Sequence, residues 1–214
     1  VLCCFGNMLS EGIYPDDVTF LCVLRACCST GNIIKGREMH LGAVKRGFER
    51  EIILGNTLVD MYAKFGLLAE TQQIFSQLMV QDVVGWTSLI AGYAEVEHGM
   101  DALHFLEQMQ QEGISPDAIT YVFGLKSCGN IRSLVRGREL HTRISREKLL
   151  QEDIFVGSTL LDMYAKCGSL VEAEEVFEKL PVKDVVLWNA LISGYIEHGC
   201  VDDAVDCFNK LQCE

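Results

Sequence analysis

The chain has 214 residues, of which 49% are hydrophobic, and a formal net charge of −12 at pH 7. That apolar content is too high for a disordered chain and sufficient for a substantial core. No apolar run approaches the roughly 18 residues of a membrane span, no basic stretch leads into an apolar segment and cleavage site at the N-terminus, and the chain is expected to be soluble. The acidic excess opposes simple electrostatic attraction to nucleic acid, so any such binding must rely on local geometry.

Asp16, Glu51, Asp82, Asp117, Asp153 and Asp184 each precede a new apolar stretch. They divide the chain into a leading piece (1–16), segments of 35, 31, 35, 36 and 31 residues (17–51, 52–82, 83–117, 118–153 and 154–184), and a last piece (185–214). In chain order the segments carry TFLCVLRACCSTG and GREMH, then LVDMYAKFG, then WTSLIAGYAEV, then GRELH, then LLDMYAKCG, and the last piece carries WNALISGYIEHG. Each segment predicts two amphipathic helices. In 154–184, for example, Leu170, Ala173, Val176, Phe177 and Leu180 share one helical face while Glu172, Glu174, Glu175 and Glu178 share the other. Gly66, Gly113 and Gly168 stand where a left-handed C-terminal cap is wanted, and Pro15 and Pro116 stop the chain before the next helix. Sustained strand alternation is absent from the sequence.

The long unit occurs twice. At an offset of 102, Asp60 matches Asp162, Phe75 matches Phe177, Trp86 matches Trp188 and Gly92-Tyr93 matches Gly194-Tyr195. At an offset of 101, Pro15-Asp16 matches Pro116-Asp117, Cys27 matches Cys128 and GREMH matches GRELH. The one-residue slip falls between His141 and Ile154, where a loop or helix end is expected to absorb it. Paired helices repeated every 31 to 36 residues make a solenoid, because no single pair buries its apolar face without a neighbour. The ten cysteines have irregular spacings, and several fall on apolar faces, as buried thiols rather than a disulfide framework.

These lengths and words resemble pentatricopeptide repeat proteins of the plant type, which alternate standard, long and short motifs. On that resemblance 17–51 and 118–153 are long repeats, 52–82 and 154–184 short repeats, and 83–117 a standard repeat. Residues 1–16 are then the end of a truncated standard repeat and 185–214 an incomplete one, so the chain is expected to be a fragment of a longer array. The resemblance implies an all-α, right-handed superhelical solenoid that binds single-stranded RNA, one base per motif, with the first helix of each motif lining the groove. The tetratricopeptide array, a peptide-binding scaffold, is the alternative; it shares a Trp, a Gly-Tyr and an Ala at similar places. It does not predict 31-residue units or the aspartate closing nearly every segment.

In the family the fifth and last residues of a motif read the base. Here these are Asn56 with Asp82, Thr87 with Asp117 and Ser158 with Asp184, while Asn189 and Asp16 are expected to have partners outside these residues. Base chemistry agrees: an ionised Asp only accepts hydrogen bonds, and uracil and guanine present a ring N–H where cytosine and adenine present a bare acceptor. Asn then fits a pyrimidine and the shorter Thr or Ser leaves room for a purine. Asn56/Asp82 is expected to read U with C tolerated, and Thr87/Asp117 and Ser158/Asp184 to read G. The apolar fifth residues Leu21 (with Glu51) and Val122 (with Asp153) assign no base. An Asp before a helix is equally an ordinary N-cap.

The resemblance further implies that Ile53, Val84, Phe155 and Val186, second in their motifs, sandwich the bases. Lys64 and Lys166 are candidates for phosphate contacts, or else solvated lysines near a helix C-terminus. Of 18 basic residues, 13 lie in the two long repeats, mostly in second helices on the outer side, so recognition by base edges is expected to outweigh charge. Plant members often end in a zinc deaminase domain, which needs H-x-E and C-x-x-C. Neither spacing exists among His40, His98, His104, His141, His198 and the cysteines. No catalytic residue, metal, cofactor, membrane or small-molecule substrate is therefore expected. The implied role is the targeting segment of an organellar RNA-processing factor for C-to-U editing, in mitochondrion or chloroplast, with RNA-editing accessory proteins as further partners.

Overall fold

The computed structural model describes residues 1–48 and 51–213, and their side chains except at 151, 152 and 213. Arg50, counted above among the basic residues of the first long repeat, and Glu214 lie outside the described residues. The chain forms two units, 1–96 and 97–214, each helical throughout its regular structure.

In the first unit α1 (Leu2–Ser10) precedes α2 (Asp17–Thr30), α3 (Ile33–Arg46), α4 (Ile52–Lys64), α5 (Leu68–Gln77) and α6 (Val83–Glu95). α2 packs on α4 and α4 on α6, which makes one row of first helices, while α3 packs on α2 and α5 on both α4 and α6. The second unit contains α7 (Gly99–Gln111), α8 (Ala118–Asn130), α9 (Leu134–Arg146), α10 (Leu149–Glu152), α11 (Ile154–Lys166), α12 (Leu170–Lys179), α13 (Val185–Glu197) and α14 (Val201–Cys213). There α8, α11 and α13 form the corresponding row, with α7 and α9 on α8, α12 on α11 and α13, and α14 on α13.

Burial explains which helices take which place. α4 is covered by α2, α5 and α6, and it buries residues nearly all round: Leu54, Leu58, Val59, Met61, Tyr62 and Ala63. α12 buries only the stripe Ala173, Val176 and Phe177 and leaves Glu174, Glu175 and Glu178 in solvent, as its periodicity predicts. Phe75 meets Trp86 edge-on at 4.6 Å and 66°, and Phe177 meets Trp188 with the same values. Such a pair adds about 0.5–1.5 kcal/mol beyond the area it buries. Sequence identity at these positions thus becomes identical packing in the two units.

Five of the six first helices start under an aspartate whose side chain accepts a backbone N–H: Asp16 from Thr19, Asp82 from Gly85, Asp117 from Thr120, Asp153 from Phe155 and Asp184 from Leu187. α4 starts at Glu51, which makes no such bond, in keeping with the preference for shorter side chains at this position. Gly66, Gly113 and Gly168 adopt the expected left-handed conformation, with φ of 68°, 80° and 75°. Residues 118–153, expected to hold two helices, hold a third. After α9 the chain turns through Lys148 at φ 60° into the four-residue α10, which lies between α9 and α11 where the one-residue slip was expected.

Candidate nucleic-acid interface

The row formed by α2, α4 and α6 carries two adjoining concavities at the N-terminal ends of its helices. One, of about 440 Å³, is lined by Asp17, Val18, Leu21, Glu51, Ile52, Ile53 and Leu54. The other, of about 370 Å³, is lined by residues that include Ile53, Asn56, Asp82 and Val84. The first holds Val18 and Ile53 with Leu21 and Glu51, and the second holds Ile53 and Val84 with Asn56 and Asp82, which stand second, fifth and last in the motifs expected from the sequence.

Side chains of the apolar series stand out in solvent, where packing does not require them. Ile53 is 66% exposed, Val84 54%, Phe155 72% and Val186 59%. The sequence reading omitted Val18 and Ile119, which are 59% and 58% exposed. The signal was present, since both stand two residues after Asp16 and Asp117 as Val84 stands after Asp82.

The structure joins Asn56 to Asp82. Asn56 Nδ2 donates to Asp82 Oδ1 at 2.8 Å, and the same oxygen accepts the Gly85 N–H at 2.9 Å. Capping and pairing are thus done by one carboxylate oxygen, and the two readings of this aspartate do not exclude each other. Asn56 is 6% exposed, and its Oδ1 is buried without a hydrogen-bond partner. In the second unit, Ser158 Oγ turns back to donate to the Phe155 carbonyl at 3.1 Å, and Asp184 Oδ1 accepts the Leu187 N–H at 3.0 Å. No hydrogen bond joins Ser158 to Asp184 among the described residues. Thr87 is half-buried on α6, Asp117 is exposed and caps α8 in a reciprocal pair with Thr120, and Asn189 is exposed on α13.

Lys64 Nζ lies 2.7 Å from Asp60 Oδ2 and Lys166 Nζ 2.8 Å from Asp162 Oδ2, so each is engaged by a carboxylate one turn back on its own helix. Arg25, on α2, lines the same concavity as Asn56 and Asp82. It was counted among the long-repeat cations that lie mostly on second helices, and only the packing of α2 beside α4 brings it into the groove. Three second-helix arginines are tied to carboxylates of neighbouring second helices: Arg37 to Glu70 at 3.0 Å, Arg138 to Glu172, and Arg136 to Glu107. Glu172 is held below the usual carboxylate range by hydrogen bonds from Ser169 and Arg138.

A sequence model of the PPR repeat family matches residues 81–130, and the PPR repeat itself matches 18–48, 158–185 and 186–214. A chloroplastic pentatricopeptide repeat-containing protein of Arabidopsis thaliana is 38% identical over 84% of this chain and 29% of its own length. A second protein of that name from the same plant is 39% identical over 84% and 25%, and a mitochondrial one is 35% identical over 83% and 17%. The chain thus spans less than a third of the length of these relatives. The pentatricopeptide repeat protein PPR10 from maize superposes with a TM-score of 0.68 at 16% identity, over 99% of this chain and 36% of that one. Its complex with an 18-nt psaJ RNA element superposes with a TM-score of 0.59, at 16% identity, over 97% and 36%. At that identity the likeness is one of fold, an all-α helical-repeat solenoid.

Proposed function

Because the chain belongs to the pentatricopeptide repeat family, we propose that it reads single-stranded RNA one base per motif, as the targeting segment of a plant organellar RNA-processing factor. The observation that carries this reading is the concavity bounded by Ile53 and Val84 with Asn56 and Asp82 inside it. A flat base entering there has an apolar side chain on each side, and Asp82 Oδ2 remains to accept a ring N–H while Oδ1 is occupied by Asn56 and Gly85. The RNA-bound form of the maize relative supports the same use of the fold.

The finer assignments follow from the motif register. Motifs of the long, short and standard types run 17–51, 52–82, 83–117, 118–153 and 154–184, with partial motifs at 1–16 and 185–214. Asn56/Asp82 reads U, and Thr87/Asp117 and Ser158/Asp184 read G. Phe155 and Val186 flank a base as Ile53 and Val84 do, and Arg25 joins Lys64 and Lys166 as a phosphate contact. The alternation of motif types supports a C-to-U editing factor of mitochondrion or chloroplast, in which RNA-editing accessory proteins are further partners and any deaminase chemistry belongs to another domain.

The test is a binding series with RNAs that vary at one base. Preference for U opposite Asn56/Asp82 that turns towards G in Asn56→Thr supports the reading. Equal binding of all four bases by the wild-type chain, together with tight binding of a peptide, would establish the protein scaffold instead.

A further inference from the structure

Gly85 lies in the first turn of α6, a place where glycine disfavours the helix relative to alanine. A Cβ built on it would stand 2.8 Å from Asn56 Oδ1, with Phe75 Cε2 at 3.3 Å and Leu78 Cδ1 at 3.5 Å. The Asn56 amide therefore occupies the space that a side chain at position 85 would fill. We propose that Gly85 is a specificity-positioning residue: it lets the Asn56 amide lie against α6 and donate to Asp82, and so sets which base the Asn56/Asp82 pair accepts. This rests on the RNA-reading function proposed above.

The amide orientation is fixed by chemistry. Turned over, its oxygen would face the Asp82 carboxylate, which has no proton to give. With Nδ2 on Asp82, Oδ1 is left buried and without a donor, which opposes the inward position. The bond to Asp82 is the hydrogen bond that holds the amide inward, and a Cβ 2.8 Å from Oδ1 makes the amide shift against it. An amide displaced into the concavity narrows it and leaves Asp82 Oδ1 with the Gly85 N–H alone, so the space that fits a pyrimidine changes and the carboxylate loses the side chain that orients it towards the base.

The second unit supplies an independent comparison within the same chain. At the place of Gly85 it has Leu187, fully buried, and at the place of Asn56 it has Ser158, whose hydroxyl bonds to its own helix. At these two junctions the buried leucine goes with the short Ser158 and the glycine with the longer Asn56.

The experiment uses the whole chain with Gly85→Ala, Asn56→Ser and the double variant, binding RNAs varied at the base opposite Asn56/Asp82 or at the base opposite Ser158/Asp184. Gly85→Ala is expected to reduce the preference for U at the first base by roughly five- to 150-fold, the range of one base-edge contact, and to leave the second base unchanged. In the Asn56→Ser background it should have no further effect. The Asn56 side-chain amide, followed by NMR without RNA, should be slow to exchange in the wild-type chain and fast in Gly85→Ala. An unchanged U preference in Gly85→Ala, or an equal loss for all four bases, overturns the proposal, as does an amide that stays protected. If Asn56→Ser itself leaves the preference unaltered, the reading pair is wrongly assigned and the RNA-reading function fails with it. If Asn56→Ser alters preference and Gly85→Ala does not, only the role of Gly85 fails.

Discussion

His141 Nδ1 lies 2.8 Å from the Tyr164 hydroxyl, and His40 Nδ1 lies 3.0 Å from that of Tyr62. The rings meet edge-on at 5.6 Å in both units. The first pair joins α9 to α11 and the second joins α3 to α4. The arginine of the same word reaches the helix after that, Arg138 to Glu172 on α12 and Arg37 to Glu70 on α5. GREMH and GRELH are thus couplings between neighbouring repeats.

This coupling makes stability depend on pH. Burial holds the His141 pKa below its ordinary 6.5, with Lys179 adding to the effect and Glu175 opposing it. The unfolded chain binds the proton more readily, so stability present above the ordinary 6.5 is lost as pH falls from there through the lowered folded-state pKa. The urea midpoint is expected to drop between pH 7.5 and pH 5.5, by less in His141→Gln, with other groups common to both proteins. Equal drops in the two would remove His141 as the cause.

Gly92 and Gly194 sit where first helices cross most closely. A Cβ on Gly92 would stand 2.7 Å from Ala63 Cβ and 3.1 Å from its Cα, and one on Gly194 would stand 2.7 Å and 3.3 Å from the same atoms of Ala165. Backbone cannot rotate aside, so α4 and α6 must separate in Gly92→Ala, at a cost of about 1–3 kcal/mol in urea unfolding. Gly6→Ala, with nothing within 4 Å, should be neutral or stabilising.

On the proposed reading, Thr87→Asn should move preference at the base assigned to Thr87/Asp117 from G towards U, since a terminal Asp accepts a ring N–H while the larger amide favours the smaller ring. Asp117→Asn should relax discrimination between keto and amino bases. Each change is expected to shift preference by roughly 1–2 kcal/mol in binding to RNAs varied at that base, the one 3′ of the base read by Asn56/Asp82. An unchanged order of the four bases in Thr87→Asn, against a clear wild-type preference for G, would sink the assignment.

Phe155 is 72% exposed. Phe155→Ala should therefore leave the unfolding midpoint almost unmoved, within about 0.5 kcal/mol, and weaken RNA binding by about 1–3 kcal/mol through the lost base contact. Loss of stability without loss of binding would make it a packing residue.

Nine cysteines are free among the described residues. Cys3, Cys4 and Cys22 are exposed and should alkylate first, whereas Cys27, Cys128 and Cys207 are buried and should alkylate last. Burial pushes the Cys128 thiol up to about 12, which also withholds the reactive thiolate at neutral pH. Mass spectrometry of partly labelled, unreduced protein checks the order; stoichiometric disulfides or early labelling of Cys128 would contradict it.

What the sequence determined by itself is what short-range geometry encodes. Asp16, Asp82, Asp117 and Asp184 cap helices through N–H groups three residues on, Gly66, Gly113 and Gly168 close helices by their own φ, and the stripe on α12 follows from a period of 3.6. Repetition of Trp86 as Trp188 then carried the packing from one unit to the other. The tertiary structure decided what depends on side chains meeting across helices: Asn56 buried against Gly85 and bonded to Asp82, Arg25 turned into the groove, and arginines of GREMH and GRELH drawn to carboxylates more than 30 residues away. Helix periodicity assigns each residue a face, but the neighbour on that face is set by how closely the helices approach. In this chain small residues such as Gly92 and Gly194 set that distance, and single-residue patterns are silent about it.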